Sequence, residues 1–194
     1  MITIIDYKAG NLASISNAVE KLGAEVQITN KPEDIQKAEK IIFPGVGEAK
    51  SAMQNLQDLN LVEPIRAFKG PFLGICLGMQ LLFTKSEERD ADCLNIIEGT
   101  VTKFPENVGL KVPQIGWNTV HHNDSPLFKD INQNEYFYFV HSYYAPLTEF
   151  TSGETEYGEK YSSAVQKENF YGTQFHPEKS GEIGLKLLNN FLKL

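Results

Sequence analysis

Apolar positions along this chain follow two alternating rhythms in the first half and short, broken runs in the second. Ile2-Thr3-Ile4-Ile5 is a short apolar run ending at Asp6, the mark of a buried strand. Leu12, Ile15, Val19 and Leu22 then fall at helical spacing, and Gly23 supplies a stop. Glu25 to Thr29 reads as a second strand and Ile41-Ile42-Phe43 as a third, broken by Pro44-Gly45-Val46-Gly47. A helix is expected from Glu48 to about Leu56, a fourth strand over Pro71 to Ile75, and another helix starting over Leu77 to Phe83. Strands alternating with helices predict a mainly parallel sheet covered by helices.

From about Leu94 the texture changes. Strand-like pieces recur at Ile96 to Phe104, Gly109 to Pro113, Tyr136 to Val140, Ser162 to Gln166 and Phe170 to Phe175. Turn signals at Pro105-Glu106-Asn107, Asn123-Asp124-Ser125-Pro126 and Thr151-Ser152-Gly153 predict antiparallel additions. An amphipathic helix carrying Ile183, Leu187, Leu188, Phe191 and Leu192 closes the chain. There is no internal repeat, low-complexity tract or long linker, so residues 1–194 are expected to form one domain.

Composition narrows the function classes. The chain is 41% hydrophobic and 22% charged, as ordinary globular proteins are. Its 18 basic against 25 acidic residues, net −7, argue against nucleic acid or an anionic membrane as the main partner. No apolar run approaches the roughly 18 residues that span a bilayer. The first residues lack a basic n-region and a cleavage site, so a cytoplasmic protein is expected. Two cysteines, Cys76 and Cys93, are too few for a disulfide framework.

The sharpest chemical signal is Gly74-Ile75-Cys76-Leu77-Gly78, where a strand runs into Gly-x-Cys-x-Gly and a helix pattern begins at once. This is the sulfur version of a nucleophile elbow, a tight strand-to-helix turn that holds the nucleophile in strained dihedrals. Glycines two residues to either side suit such a turn, because side chains there would collide with the neighbouring strand and helix. A helix N-terminus also favours the thiolate. The competing reading is a small buried cysteine in a glycine-rich turn.

A thiol nucleophile needs a base and a group to orient that base. His176-Pro177-Glu178 provides both, since residues two apart on an extended segment project to the same side and the proline enforces extension on His176. Acyl transfer also needs backbone N–H groups aimed at the developing oxyanion. Leu77, directly after the nucleophile, offers one, and the Pro44–Gly47 loop, through Val46 or Gly47, offers a second. His121-His122 lack companions with metal-ligand spacing and read as structural or solvent residues. Cys93 has no base near it in sequence and reads as incidental. No dinucleotide- or phosphate-binding motif is present, and no cofactor or metal is expected.

Taken together these segments resemble the class I (triad) glutamine amidotransferases. The resemblance covers nearly the whole chain: Asp6-Tyr7-Lys8-Ala9-Gly10-Asn11, Pro44 to Gly47, Gly74 to Gln80, Gly116-Trp117-Asn118, Tyr138 to Tyr143 and Gln174 to Ser180. It implies a single-domain, three-layer α/β/α sandwich of flavodoxin-like build. It also implies that Cys76 attacks glutamine to form a thioester, with His176 moving the protons and Glu178 holding the ring. Gly47, Gln80, Glu88, His141, Ser142 and Tyr143 fall where such enzymes grip glutamine. Asn11, Trp117, Tyr138 and Lys179 fall where they meet a (β/α)8-barrel synthase subunit that consumes the ammonia, here in histidine biosynthesis. Lys8 departs from the family pattern, which usually has glycine there. That leaves open a paralogue feeding another synthase, for instance one that modifies a nucleotide-linked sugar. A stand-alone cysteine amidase or peptidase of related fold is the rival class.

Overall fold

The computed structural model describes residues 1–105 and 109–194. Glu106 and Asn107 of the expected turn therefore lie outside the described residues, as does Val108. The elements in chain order are β1 (Ile2–Ile5), α1 (Leu12–Lys21), β2 (Val26–Thr29), α2 (Pro32–Lys37), β3 (Lys40–Gly45), α3 (Ala49–Asp58), α4 (Val62–Ala67), β4 (Phe72–Cys76) and α5 (Leu77–Gln80). There follow β5 (Phe83–Ser86), β6 (Ala91–Asp92), β7 (Ile97–Lys103), β8 (Gln114–His122), β9 (Glu135–His141), β10 (Tyr143–Tyr144), β11 (Thr151–Tyr157), β12 (Glu159–Lys167), β13 (Phe170–Thr173) and α6 (Gly181–Leu192).

Among the described residues, nine strands form one mixed sheet in the order β2-β1-β3-β4-β13-β12-β11-β8-β9. The half from β2 to β13 is parallel, and the half from β13 to β9 is antiparallel. A second sheet, β10-β7-β5-β6, extends the structure beside it. The inner strands of the parallel half, β1, β3 and β4, are nearly apolar on both faces because both are covered. The edge strand β2, in contrast, leaves Ile28 exposed. Ile4, Ile42 and Leu73 meet the cluster that holds Val19 of α1 and Leu187, Leu188 and Phe191 of α6. Ile5, Ile41, Phe43 and Phe72 meet the opposite cluster, with Met53 and Leu56 of α3 and Ile65 of α4. The three α6 side chains are fully buried, each worth about 1.5–3 kcal/mol of transfer free energy. No helix of the described residues is long and apolar enough to cross a membrane.

Several local expectations are corrected. The apolar run after Cys76 leaves the helix at Gln80, and Phe83 opens β5 instead. Leu77, Met79, Leu81, Leu82 and Phe83 are all buried, and such a run carries no period to separate helix from strand. Gly109 to Pro113 is not a strand; pairing starts at Gln114. β3 runs through Pro44, because β1 stops pairing at Ile42 and no donor is needed from the proline on that side. Thr151-Ser152-Gly153 lies in β11, at a bulge. A Cβ on Gly153 would sit 3.0 Å from Ala164 Cβ and from Val120 Cγ1, so this glycine answers a close approach and not a turn.

Candidate active site

β4 ends at Cys76, whose backbone has φ 55° and ψ −110°, a strained combination for a residue with a side chain. The turn tolerates this only because its neighbours are glycines. A Cβ on Gly74 would lie 2.7 Å from the Gly78 carbonyl oxygen, and one on Gly78 would lie 1.9 Å from that of Phe43. The elbow expected from Gly-x-Cys-x-Gly is therefore formed, at the C-terminal edge of the parallel half. α5 behind it is only four residues long, so its dipole is short.

His176 and Glu178 follow β13, the strand that pairs with β4, and so arrive at the same edge. Only His176 is extended, at φ −98° and ψ 97°, and Pro177–Lys179 turn as a 3-10 helix where an extended segment was expected. It is this turn that brings the carboxylate to the ring. His176 Nδ1 and Glu178 Oε1 are 2.8 Å apart, with side chains 3% and 5% exposed. Nε2 is buried without a conventional hydrogen-bond partner, close enough to the Cys76 sulfur for the two to act on each other's charge. Burial opposes a charge on His176, but hydrogen bonding and charge from Cys76 and Glu178 together outweigh it and push the imidazole up to about 10. An imidazolium beside a sulfur and a carboxylate is the pairing that a thiolate nucleophile needs. The Cys76 sulfur itself lies 3.8 Å from the Val140 carbonyl oxygen and 3.7 Å from Gln174 Nε2.

These groups open on a cavity of about 310 Å³, lined by Val46, Gly47, Cys76, Leu77, Gln80, Glu88, Pro113, Val140, His141, Ser142, Tyr143 and His176. That is the size of a small-molecule site. The expected triad cysteine and histidine, both candidate oxyanion segments and every expected glutamine-gripping residue thus line one cavity. Glu88 Oε2 accepts a 2.8 Å hydrogen bond from the Ala49 N–H at the start of α3. Its carboxyl is held above the usual range, chiefly by burial, with the Ala49 N–H pulling the other way. His141 is buried, and burial above all pulls its imidazole down to about 4, so the ring is neutral. Both its nitrogens are engaged inside the protein, with the Tyr143 carbonyl oxygen at 2.8 Å and Gln114 Oε1 at 3.0 Å. What this segment offers a ligand therefore comes from its backbone and from its neighbours.

Two of the residues expected to face a partner, Trp117 and Tyr138, sit together on one hairpin. Trp117 on β8 pairs across to Tyr138 on β9, with ring centroids 6.0 Å apart. Ile115, Trp117 and Tyr136 are 63%, 55% and 58% exposed, an unusual density of large apolar groups on one hairpin face. Lys179 is exposed on the turn after His176, and exposed Asn11 caps α1 through the Ser14 N–H at 3.2 Å. Tyr138 joins this hairpin to the site: its carbonyl accepts from the His176 N–H at 2.9 Å, and its N–H donates to Ser180 Oγ at 3.0 Å.

His121 is exposed, and His122 stacks on Phe128 between the carbonyl oxygens of Asn123 and Asn132. Cys93 is buried, its thiol pushed up to about 12 mainly by burial. Among the described residues no cluster of three or more potential metal ligands occurs. Reading the sequence missed Gln174, Val140 and Tyr7. Gln174 directly follows β13, in the bend that leads to His176, and carries no period that would have marked it. The Tyr7 hydroxyl, buried under Gly45 and without a partner, carries no signal in sequence.

Residues 3–194 match the family described as glutamine amidotransferase class-I, and the chain belongs to that family. It is 48% identical to the imidazole glycerol phosphate synthase subunit HisH of Bacteroides fragilis, over all of this chain and 99% of that one. The protein of the same name in Methanocaldococcus jannaschii is 52% identical, covering the whole of both chains. Among solved structures, a glutamine amidotransferase from Thermotoga maritima superposes with a TM-score of 0.70 at 16% identity, over 99% of this chain and 96% of that one. At that identity the last likeness speaks for the fold.

Proposed function

We propose that this chain is the glutaminase subunit of an imidazole glycerol phosphate synthase, releasing ammonia from glutamine for a HisF-like (β/α)8-barrel subunit in histidine biosynthesis. The observation that carries the reading is the buried Cys76–His176–Glu178 constellation opening on a small-molecule cavity that also holds the Glu88 carboxylate. Sequence identity near one half across entire chains with proteins named for that subunit supports the pathway.

In the proposed reaction the Cys76 sulfur attacks the carboxamide carbon of glutamine, and the oxyanion is held by N–H groups of Leu77 and of the Val46–Gly47 segment. His176 gives its proton to the departing nitrogen as the C–N bond breaks, leaving a thioester and free ammonia. Water then attacks the thioester carbon, His176 takes the water's proton, and glutamate leaves as the thiol is restored. Glu178 holds the ring throughout, and Glu88 pairs with the substrate ammonium. The ammonia passes to the barrel docked on the Asn11, Trp117, Tyr138 and Lys179 face, which forms imidazole glycerol phosphate and an aminoimidazole ribotide. A closed passage suits this chemistry because free ammonia is mostly protonated at neutral pH.

The test follows glutamate release with and without a barrel partner carrying its ligand. Cys76→Ala abolishes release, while the mutant complex still forms product from ammonium salt. Glutamine hydrolysis surviving Cys76→Ala overturns the nucleophile assignment. Full turnover of peptides or other amides by the isolated chain would favour the stand-alone hydrolase, and coupling only to a different synthase would favour the paralogue.

A further inference from the structure

A run of buried amides ends at the nucleophilic sulfur, and one backbone carbonyl sets its direction. The Tyr143 carbonyl oxygen can only accept. It receives Gln80 Nε2 at 2.9 Å, which fixes that amide with its nitrogen inward. The same nitrogen has a second hydrogen, and it meets Gln174 Oε1 at 2.8 Å. Gln174 is therefore turned with its oxygen toward Gln80 and its own nitrogen toward Cys76, 3.7 Å from the sulfur. Gln80 is 5% exposed and Gln174 fully buried, so water does not compete for these groups.

The other side of the Tyr143 carbonyl is held as firmly. His141 Nδ1 lies 2.8 Å from it and must carry the ring's proton. Nε2 of that neutral ring then needs a donor. The Tyr161 hydroxyl, 3.3 Å away, is the donor at hand, while Gln114 faces the ring with its Oε1 at 3.0 Å. Tyr161 is itself fully buried. The carbonyl is thus gripped by two donors from opposite sides.

We propose that Gln174 is a catalytic residue of the glutaminase reaction: its side-chain N–H donates to the Cys76 sulfur, aimed there by Gln80 and the Tyr143 carbonyl, with His141 as a positioning residue. The donor favours the negatively charged sulfur over the neutral thiol and adds to what His176 does for it, whereas the Val140 carbonyl oxygen at 3.8 Å can only accept and favours the thiol. A hydrogen bond to a charged acceptor is commonly worth a factor of about ten or more.

The inference rests on Cys76 being the nucleophile of the proposed reaction. Its test uses Gln174→Glu, which keeps the shape but removes the N–H, and Gln174→Met, which removes it without adding charge. Labelling of Cys76 by iodoacetamide at neutral pH is read on its own peptide, apart from Cys93, alongside kcat and KM for glutamine. Gln174→Glu should label about tenfold more slowly and lose kcat by a similar factor, with KM changed less than about twofold. Gln174→Met should fall in the same direction. Gln80→Leu, which frees Gln174 to turn, should give a smaller slowing of Cys76 labelling, the readout that its place on the glutamine cavity does not confound.

A merely structural role predicts the reverse for labelling, because loosening a buried site exposes its thiol and speeds alkylation. Labelling at the wild-type rate or faster, or a loss carried by KM alone, overturns the proposal. If the wild-type chain neither hydrolyses glutamine nor labels at Cys76, the nucleophile assignment falls and this inference falls with it. A wild type that does both beside an indistinguishable Gln174→Glu overturns this inference alone.

Discussion

At Gly78, behind the nucleophile, a Cβ would lie 1.9 Å from the Phe43 carbonyl oxygen, whereas at Gly47, on the cavity lining, it would meet nothing within 4 Å. Gly47 instead has φ +106°, and Val46 beside it is 42% exposed. The elbow uses glycine for space, as does Gly45 where it packs on the elbow, and Gly47 uses it for dihedral freedom. The nucleophile is therefore held in place by packing before any substrate arrives. The lip at Gly47, which carries the second proposed oxyanion donor, keeps the latitude to adjust when a partner docks.

Alanine at each position separates the two uses. Gly78→Ala forces backbone apart from backbone and should cost about 3 kcal/mol or more, seen as a collapse of the urea midpoint or loss of soluble protein. Gly47→Ala meets no neighbour and pays only the strain of a positive φ, about 1 kcal/mol. Alanine keeps the backbone N–H but is strained at this φ, so glutamine turnover should drop by up to about a hundredfold as the segment turns that donor away from the oxyanion. Equal stability losses in the two variants would erase the contrast between a packed elbow and an adjustable lip.

The packed side also contains two histidines driven in opposite directions, and this predicts where the fold is most stable. The native state holds a proton on His176 up to about pH 10, against about 6.5 for an unperturbed histidine, so that stabilisation is complete below 6.5 and is lost as pH rises through 10. His141 is pulled down to about 4, so the unfolded chain binds its proton first and stability falls as pH drops from 6.5 toward 4. Melting temperature against pH should therefore decline on both sides of neutrality. Glu178→Gln, which removes a partner of His176, should flatten the alkaline decline and leave the acid one. An alkaline limb unchanged by that substitution would place its origin in another group.

How much of this was legible in the sequence follows the same division. The parallel half was readable, because strands buried on both faces are nearly continuous apolar runs and its helices carry a clean period. The elbow was readable because sterics leave glycine as the only residue that fits at Gly74 and Gly78. The antiparallel half was harder. β8, Gln-Ile-Gly-Trp-Asn-Thr-Val-His-His, has no apolar run, since its exposed Ile115 and Trp117 lie on the outward face and Gln114 on the buried one. Short α2 and α4 went unmarked, each burying a single isoleucine, Ile35 and Ile65. The amide run through Gln80 and Gln174 was invisible because it depends on which way a carbonyl in a distant strand points.

The adjustable lip rests on the turn after β1, and there the chain departs from its family pattern at Lys8. Lys8 has φ 63°, a left-handed conformation that glycine adopts freely and a residue with a Cβ adopts at a cost of roughly 1–2 kcal/mol. The turn is held by the Lys8 N–H on Asp6 Oδ1 at 3.0 Å, and Gly10 packs against Pro44 of the lip, its Cβ position 3.6 Å from the proline carbonyl oxygen. Lys8→Gly relieves the strain but loosens the unfolded chain, which offsets about 0.5–1 kcal/mol of the gain. The net should be a stabilisation of about 0.5–1 kcal/mol, measured as a raised urea midpoint at unchanged slope. A destabilised Lys8→Gly would mean that the exposed lysine makes up its backbone strain through contacts of its own, and that this turn is held as tightly as the elbow.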